Sequence, residues 1–218
     1  MDWMPLLVSL KLALATTAVL TIVAAPLAYG LTVVNFPGKS LLEALVNLPM
    51  ALPPTVMGFY LVILMGPKGP IGGAWESATG ESLLFTFTGI AAASVLCSLP
   101  FALQPMKAAF SKIDRRLLES SSVLGLSRTT TFFRVIIPNS LSGIAASAIL
   151  VFLHSLGAFG IILMVGGSLP GQTKVAAIAI YEAVETMNYS DAGVMSLCLV
   201  GISYLFLLAI NKLNRPEA

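Results

Sequence analysis

The chain reads as an all-α integral membrane protein with about five transmembrane helices. Three observations predict this. Of its 218 residues 57% are hydrophobic and only 10% charged, against roughly 25% charged in soluble domains, and the mean hydropathy is +0.92. Five apolar runs, at residues 6–34, 45–64, 84–103, 144–165 and 192–210, are long enough to cross about 30 Å of hydrocarbon, which takes roughly 20 residues. The Lys and Arg residues between those runs divide unevenly. Helices are expected because each must satisfy its own backbone groups in lipid. One membrane domain covering residues 1–218 follows.

The uneven charge sets the orientation. With the loop 107–138 inside, the inner side carries Lys39, Lys107, Lys112, Arg115, Arg116, Arg128, Arg134, Lys212 and Arg215, and the outer side keeps Lys11, Lys68 and Lys174. The positive-inside rule then predicts an outer N-terminus and a cytoplasmic C-terminus. Lys11, one or two turns into the first span, can snorkel to the outer interface. The start, Met1-Asp2-Trp3, lacks the basic region of a secretory signal, so the first run is expected to be a retained span.

The first span contains Pro26, which removes one backbone bond and kinks the helix, and it ends at the turn signal Asn35-Phe36-Pro37-Gly38. The second carries Pro49, Pro53 and Pro54. Counting about 1.5 Å per residue from Leu45, Pro53 falls about 12 Å in, near the midplane. Broken backbone at that depth is tolerated only where it is packed in protein or lines a wet cavity. A packing kink and a broken helix bordering a pathway through Pro53, Pro54 and Thr55 both satisfy that condition.

Gly66 to Gly73 reads as a turn-rich outer loop, followed by an interfacial Trp75. The third span has Pro100 near its inner end and reaches the inside at Lys107. His154, the one histidine, lies near the middle of the fourth span and precedes Ser155-Leu156-Gly157-Ala158-Phe159-Gly160. An ionisable group at that depth is a functional candidate; a neutral histidine making one interhelical hydrogen bond is the plain structural alternative. Gly157 and Gly160 suit close helix packing and a pathway equally. Residues 175–185 form a segment too short to span, re-entrant or interfacial, after the turn Pro170-Gly171-Gln172-Thr173.

Cys97 and Cys198 fall inside apolar runs and are expected to act as small hydrophobes. There is no phosphate-binding loop of the GxxxxGK[ST] form, no zinc-type Cys/His spacing and no nucleophile–base pair. Catalytic residues, metal ligands, cofactors and a nucleic-acid partner are therefore not expected.

The stretch Ile113–Pro138 is basic and reads as helical. Ile113, Leu117, Leu118 and Leu124 repeat at helical spacing, Gly125 is a natural stop, and Ser127 can cap a second short helix running to Arg134 before the stop at Pro138. A basic amphipathic segment lying on an anionic leaflet accounts for the charge, but not for the break at Gly125.

This stretch resembles the cytoplasmic loop of ABC importer membrane subunits, whose signature is Glu-Ala-Ala, three residues, Gly, nine residues, Ile-x-Leu-Pro. Here Glu119-Ser120-Ser121, Gly125 and Val135-Ile136-Ile137-Pro138 keep every spacing, with serines for both alanines. Phe36-Pro37-Gly38-Lys39, Leu52-Pro53-Pro54-Thr55-Val56 and Pro170-Gly171-Gln172-Thr173 extend the resemblance along most of the chain, to the molybdate permease branch of type I importers. Ala158 stands where that branch usually has Glu.

The resemblance implies the type I permease arrangement in the cytoplasmic membrane. It also implies a homodimer, two cytoplasmic ABC ATPase subunits, and an extracytoplasmic oxyanion-binding protein that supplies molybdate, with tungstate or sulfate as alternatives. The loop would dock on the ATPase through Leu118, Glu119, Ser120, Ser121, Gly125, Leu126 and Pro138. Translocation would pass Pro53, Pro54, Thr55, His154, Ser155, Gly157 and Gly160. A secondary transporter would show repeated halves or several intramembrane carboxylates, and neither is found. A membrane anchor for a cytoplasmic complex would need the basic loop but not the broken second span.

Overall fold

The computed structural model describes residues 2–213, whose regular elements are all helices, without strands. Arg215 and the side chain of Lys212, counted above on the inner side, lie outside the described residues. Helix α1 (Met4–Val33) begins with Pro5 in its first turn, where a missing N–H costs nothing. Its 30 residues reach about 45 Å, more than the hydrocarbon thickness. Pro26 is carried inside it.

The second apolar run is two helices, α2 (Lys39–Ala51) and α3 (Pro54–Met65), which meet at 115°. Leu52 and Pro53 between them are extended, with ψ of 144° and 140°. Pro49 is absorbed within α2, whereas Pro53 and Pro54 together cannot continue its hydrogen-bond ladder. The loop expected at Gly66–Gly73 holds a further helix, α4 (Pro70–Thr79). Pro70 opens it and Gly80 closes it at φ 76°, the usual proline-first, glycine-last asymmetry.

Helix α5 (Phe87–Ser111) is capped by Thr86, whose hydroxyl accepts from Gly89 N, and carries both Pro100 and Pro105. Two short pieces follow, α6 (Arg115–Val123) and α7 (Arg128–Thr131); then come a π-helical turn (Phe132–Ile136) and α8 (Ile137–Asn139). The chain then bends by 76° into α9 (Leu141–Leu156). The fourth run is also divided, because α9 stops at Gly157 and α10 (Gly160–Gly166) starts afresh. Residues 176–185 form the short helix α11 (Ala176–Glu185), ahead of α12 (Tyr189–Leu213).

Helices α1, α5 and α9 form the centre. Leu20, Ala24 and Ala28 of α1 pack on Ala102, Leu103 and Met106 of α5 and on Val151 of α9, all nearly inaccessible to solvent. Small side chains let membrane helices approach closely, which matters where lipid supplies no hydrophobic drive. A second cluster joins Leu61 and Met65 of α3 to Ala93 and Cys97 of α5 and Val165 of α10. Helix α12 packs on α9 through stacked Phe152 and Phe206, 4.3 Å apart. Much of its apolar surface, including Leu197, Val200 and Tyr204, stays exposed. Both cysteines are free thiols, as their apolar surroundings suggested.

The molecule has two ends. At one, the end of α1, the start of α2 and the end of α5 come together around Lys39, Glu43 and Lys107, on the side of the α6 segment. At the other, Asp2, Lys174 and Glu182 share a cavity.

Candidate functional site

Helix α6 is defined by local chemistry at both ends. Asp114 caps it, its Oδ1 accepting from Arg116 N at 2.9 Å. Gly125, at φ 70°, turns the chain off: Gly125 N donates to Ser122 O and Leu126 N to Ser121 O, each at 3.0 Å. These are the two bonds of a Schellman motif. Ser120, Ser121 and Ser122 donate their hydroxyls to the carbonyls of Arg116, Leu117 and Leu118. Serines in place of alanines therefore bring no unpaired hydroxyl to the helix.

The segment is asymmetric. Ser121 is buried, and Leu118 packs with Ile113 against the central cluster. Leu126 is half-buried, and Glu119, Ser120, Gly125 and Pro138 are exposed. Leu117 and Leu124, counted by spacing on the apolar face, point outward, Leu124 being 76% exposed and Val123 beside it 87%. The concave outer face is lined by Arg116, Glu119, Ser120, Val123 and Leu124. Sequence periodicity placed Leu124 on the covered face and left Val123 out, whereas both are exposed. Their position just before the glycine stop was the available signal, since the helix has no further turn to cover them.

Beyond α6, Ser127 caps α7, its hydroxyl accepting from Thr130 N at 3.2 Å. This helix runs past Arg134, and Pro138 does not stop it. The π-helical turn opens the ladder, with Ile137 N donating to Phe132 O, and makes room for a ring that would otherwise press on the preceding turn. The break falls instead at Ser140. Phe132 packs on Tyr29 of α1 at 5.2 Å, and Tyr29 meets Phe110 of α5 edge-on. Helix α6 is thus linked to the spans through Ile113, Leu118 and Phe132.

The two divided runs meet. A Cβ placed on Gly160 would sit 3.4 Å from Pro54 Cβ, and one on Gly58 would sit 2.7 Å from Met164 Sδ. The absence of side chains at these glycines lets α3 and α10 pack with their starting points together. Pro53, Pro54, Thr55 and Gly157 are exposed there, and Gly160 is half-buried.

His154 and Ser155 turn toward α5. His154 Nδ1 lies 2.9 Å from Ser98 Oγ, and its ring stacks on Phe101 at 4.1 Å. Ser155 is 2% exposed and bonds to both Ser94 and Ser98. Ser155 is therefore no part of an open surface, and His154 makes an interhelical hydrogen bond. Ser94 and Ser98, one helical turn apart in an apolar run, were the missed half of this cluster. Lys11, the cation inside the first span, is exposed with Nζ 4.4 Å from the centre of the Phe87 ring. Among the described residues no group of His, Cys, Asp and Glu is arranged to hold a metal.

Residues 11–215 match the family of binding-protein-dependent transport system inner membrane components. The chain is 41% identical over 210 residues to the molybdenum transport system permease protein ModB of Azotobacter vinelandii, covering 96% of this chain and 93% of the relative. It is 32% identical to a probable sulfate transport system permease protein of Chlorokybus atmophyticus, covering 94% of this chain and 71% of that one. Among solved structures, the MetNI methionine ABC transporter in inward-facing conformations gives a TM-score of 0.74 at 16% identity, covering 97% of this chain and 95% of that one. That last likeness bears on the fold.

Proposed function

Because the chain belongs to the family of binding-protein-dependent transport system inner membrane components, we propose that it is the permease subunit of an ATP-driven molybdate importer. The chain is a multi-pass inner-membrane translocation subunit, and ATP hydrolysis belongs to a separate ATPase subunit. The substrate assignment is carried by one observation. The molybdenum permease relative is both more alike and matched over more of its length, 41% and 93%, than the sulfate permease relative, 32% and 71%. Tungstate and sulfate, also tetrahedral dianions, are the competing substrates.

In this reading residues 1–218 act as one transmembrane domain, N-terminus outside, paired with a second copy. Each α6 docks into an ATPase subunit through Glu119, Ser120, Val123 and Leu124, with Ser121, Gly125 and Leu126 shaping the helix and Leu118 tying it to the spans. The adjacent Val123 and Leu124, 87% and 76% exposed on a loop segment outside the long spans, support this role, since a contiguous bare apolar patch marks an interaction surface. ATP-driven closure then biases the spans between two states. The passage runs beside the Pro53–Thr55 break and the facing Gly157–Gly160 break, with His154 and Ser155 behind it. No arginine lies in the spans, so tight anion recognition resides in the binding protein that delivers the ion.

Two measurements test the reading. In proteoliposomes containing the permease, its ATPase and its binding protein, molybdate should enter only with ATP; calorimetry showing tight sulfate and no molybdate binding by that binding protein sinks the substrate. ATPase copurification should be lost with Glu119→Lys and Gly125→Pro together, and its persistence sinks the docking role of α6.

A further inference from the structure

We infer that the groove between α1 and the segment 128–137 binds one anionic phospholipid, its phosphate at Arg128 and an acyl chain along Ile22, Pro26 and Phe133. Two cavities make up this groove, and both are lined by Tyr29 and Arg128. The first, of about 640 Å³, is walled by Ile22, Ala25, Pro26, Phe132, Phe133 and Ile137. The second, of about 470 Å³, carries Asn35, Ser122 and Thr131 among the apolar Val33, Val34 and Leu118. Each is within the size range of small-molecule sites, about 300–1,000 Å³.

The order of chemistry along the groove selects an amphiphile. Thr21 and Tyr29 of α1 bound the apolar part, and eight residues of helix span about 12 Å, close to the 15 Å hydrocarbon depth of one leaflet. Asn35 and Ser122 extend it past the end of that helix, where head groups lie. Arg128 stands at the junction, exposed and without a carboxylate partner among the described residues, whose two ion pairs are Lys107–Glu43 and Lys174–Glu182. The Tyr29 hydroxyl makes no hydrogen bond among them either. A guanidinium at that level matches a lipid phosphate in charge and in fork geometry. An added apolar helix from a second copy would fill the groove but leave this cation unmatched. The inference does not depend on which solute is carried.

Native mass spectrometry of the full chain in detergent, titrated with phosphatidylglycerol and phosphatidylcholine of matched chains, reads the site. One phosphatidylglycerol should be retained about fivefold more tightly, the weight of one basic side chain at an anionic surface. Arg128→Ala should abolish the preference, Arg128→Lys should keep most of it, and Arg134→Ala, on the same segment outside the groove, should leave it intact. Ile22→Trp should weaken retention of both lipids. Equal retention of the two lipids, or an unchanged preference in Arg128→Ala, overturns the inference. So does competition by inorganic phosphate as effective as by lipid, which would mean a free-anion site, or cross-linking of Ile22→Cys to a second copy in bilayers, which would mean protein cover. Molybdate uptake is a separate readout, so failure here leaves the transport reading standing.

Discussion

Lys107 Nζ lies 2.5 Å from Glu43 Oε1 and so fastens α2 to α5, and one turn along Gln104 Nε2 donates to Asn47 Oδ1 at 2.7 Å. No residue of α2 is buried, and beyond the Pro53 bend it leaves the line of α3 by 115°. These polar ties, with half-buried Val46 against the central cluster, hold it. If transport requires α2 to part from α5, a short reducible bis-thiosulfonate cross-link between Asn47→Cys and Gln104→Cys should stop ATP-driven uptake in the reconstituted system, and reduction should restore it. Uptake that is indifferent to a cross-link verified by mass spectrometry would show that the two helices move as one.

Gly125 should tolerate substitution according to backbone preference alone. It sits at φ 70° with nothing within 4 Å of an added Cβ, so the cost is conformational and not steric. Gly125→Ala should lose about 1–2 kcal/mol, Gly125→Asn less, and Gly125→Val more. Hydrogen exchange of α6 in detergent checks the order.

Gly143 on α9 presents the opposite case. A Cβ there would fall 2.3 Å from Ala109 Cβ and 3.4 Å from Pro105 O, neither of which can swing aside. Gly143→Ala should destabilise by about 1–3 kcal/mol through overpacking, read as a lowered Tm in detergent. Ala109→Gly in the same chain should recover most of that loss.

Ser98 bridges His154 and Ser155, whereas Ser94 reaches Ser155 alone. Ser98→Ala should therefore cost more than Ser94→Ala, about 0.6 kcal/mol and not above roughly 1.7, the range for interhelical bonds in membranes. Equal losses in thermal unfolding would show that His154 gains nothing from its contact.

Glu182 is held below the usual carboxylate range, first by its hydrogen bond from Lys174 and then by that from Ser168. A depressed carboxyl contributes stability above its ordinary value, about 4.3, and that stability is lost as pH falls through the lowered one. Hydrogen exchange at residues 168–174 should accelerate in acid beyond its intrinsic pH dependence, and Glu182→Gln should remove the extra acceleration while exchanging faster at neutral pH.

Much of the local structure was legible because its causes are local. Gly125 ends α6 as its position implied and Ser127 caps the next helix, each from one residue's own backbone limits; Pro53 and Pro54 marked a disturbance of the second run, and the structure decided for a break over a kink. The helix α4 carried the same kind of signal in Pro70 and Gly80, overlooked among the surrounding glycines. Periodicity failed at Leu117 and Leu124 because it reports a preference for burial and not which neighbour, if any, arrives to cover the side chain.

By itself, then, the sequence determined that this protein spans a membrane as helices, that α6 stops at Gly125, and the spacing of the loop that identifies its family. These rest on transfer of apolar runs into lipid and on single-residue backbone preferences, which act without reference to the rest of the chain. Only the tertiary structure decided that the break at Pro54 meets the one at Gly160, that Ser155 is enclosed by Ser94 and Ser98, and that Val123 and Leu124 stay bare. The reason is that helices in lipid choose partners by close shape and interhelical hydrogen bonds, and those contacts join residues about 60 to 100 positions apart, beyond any local pattern.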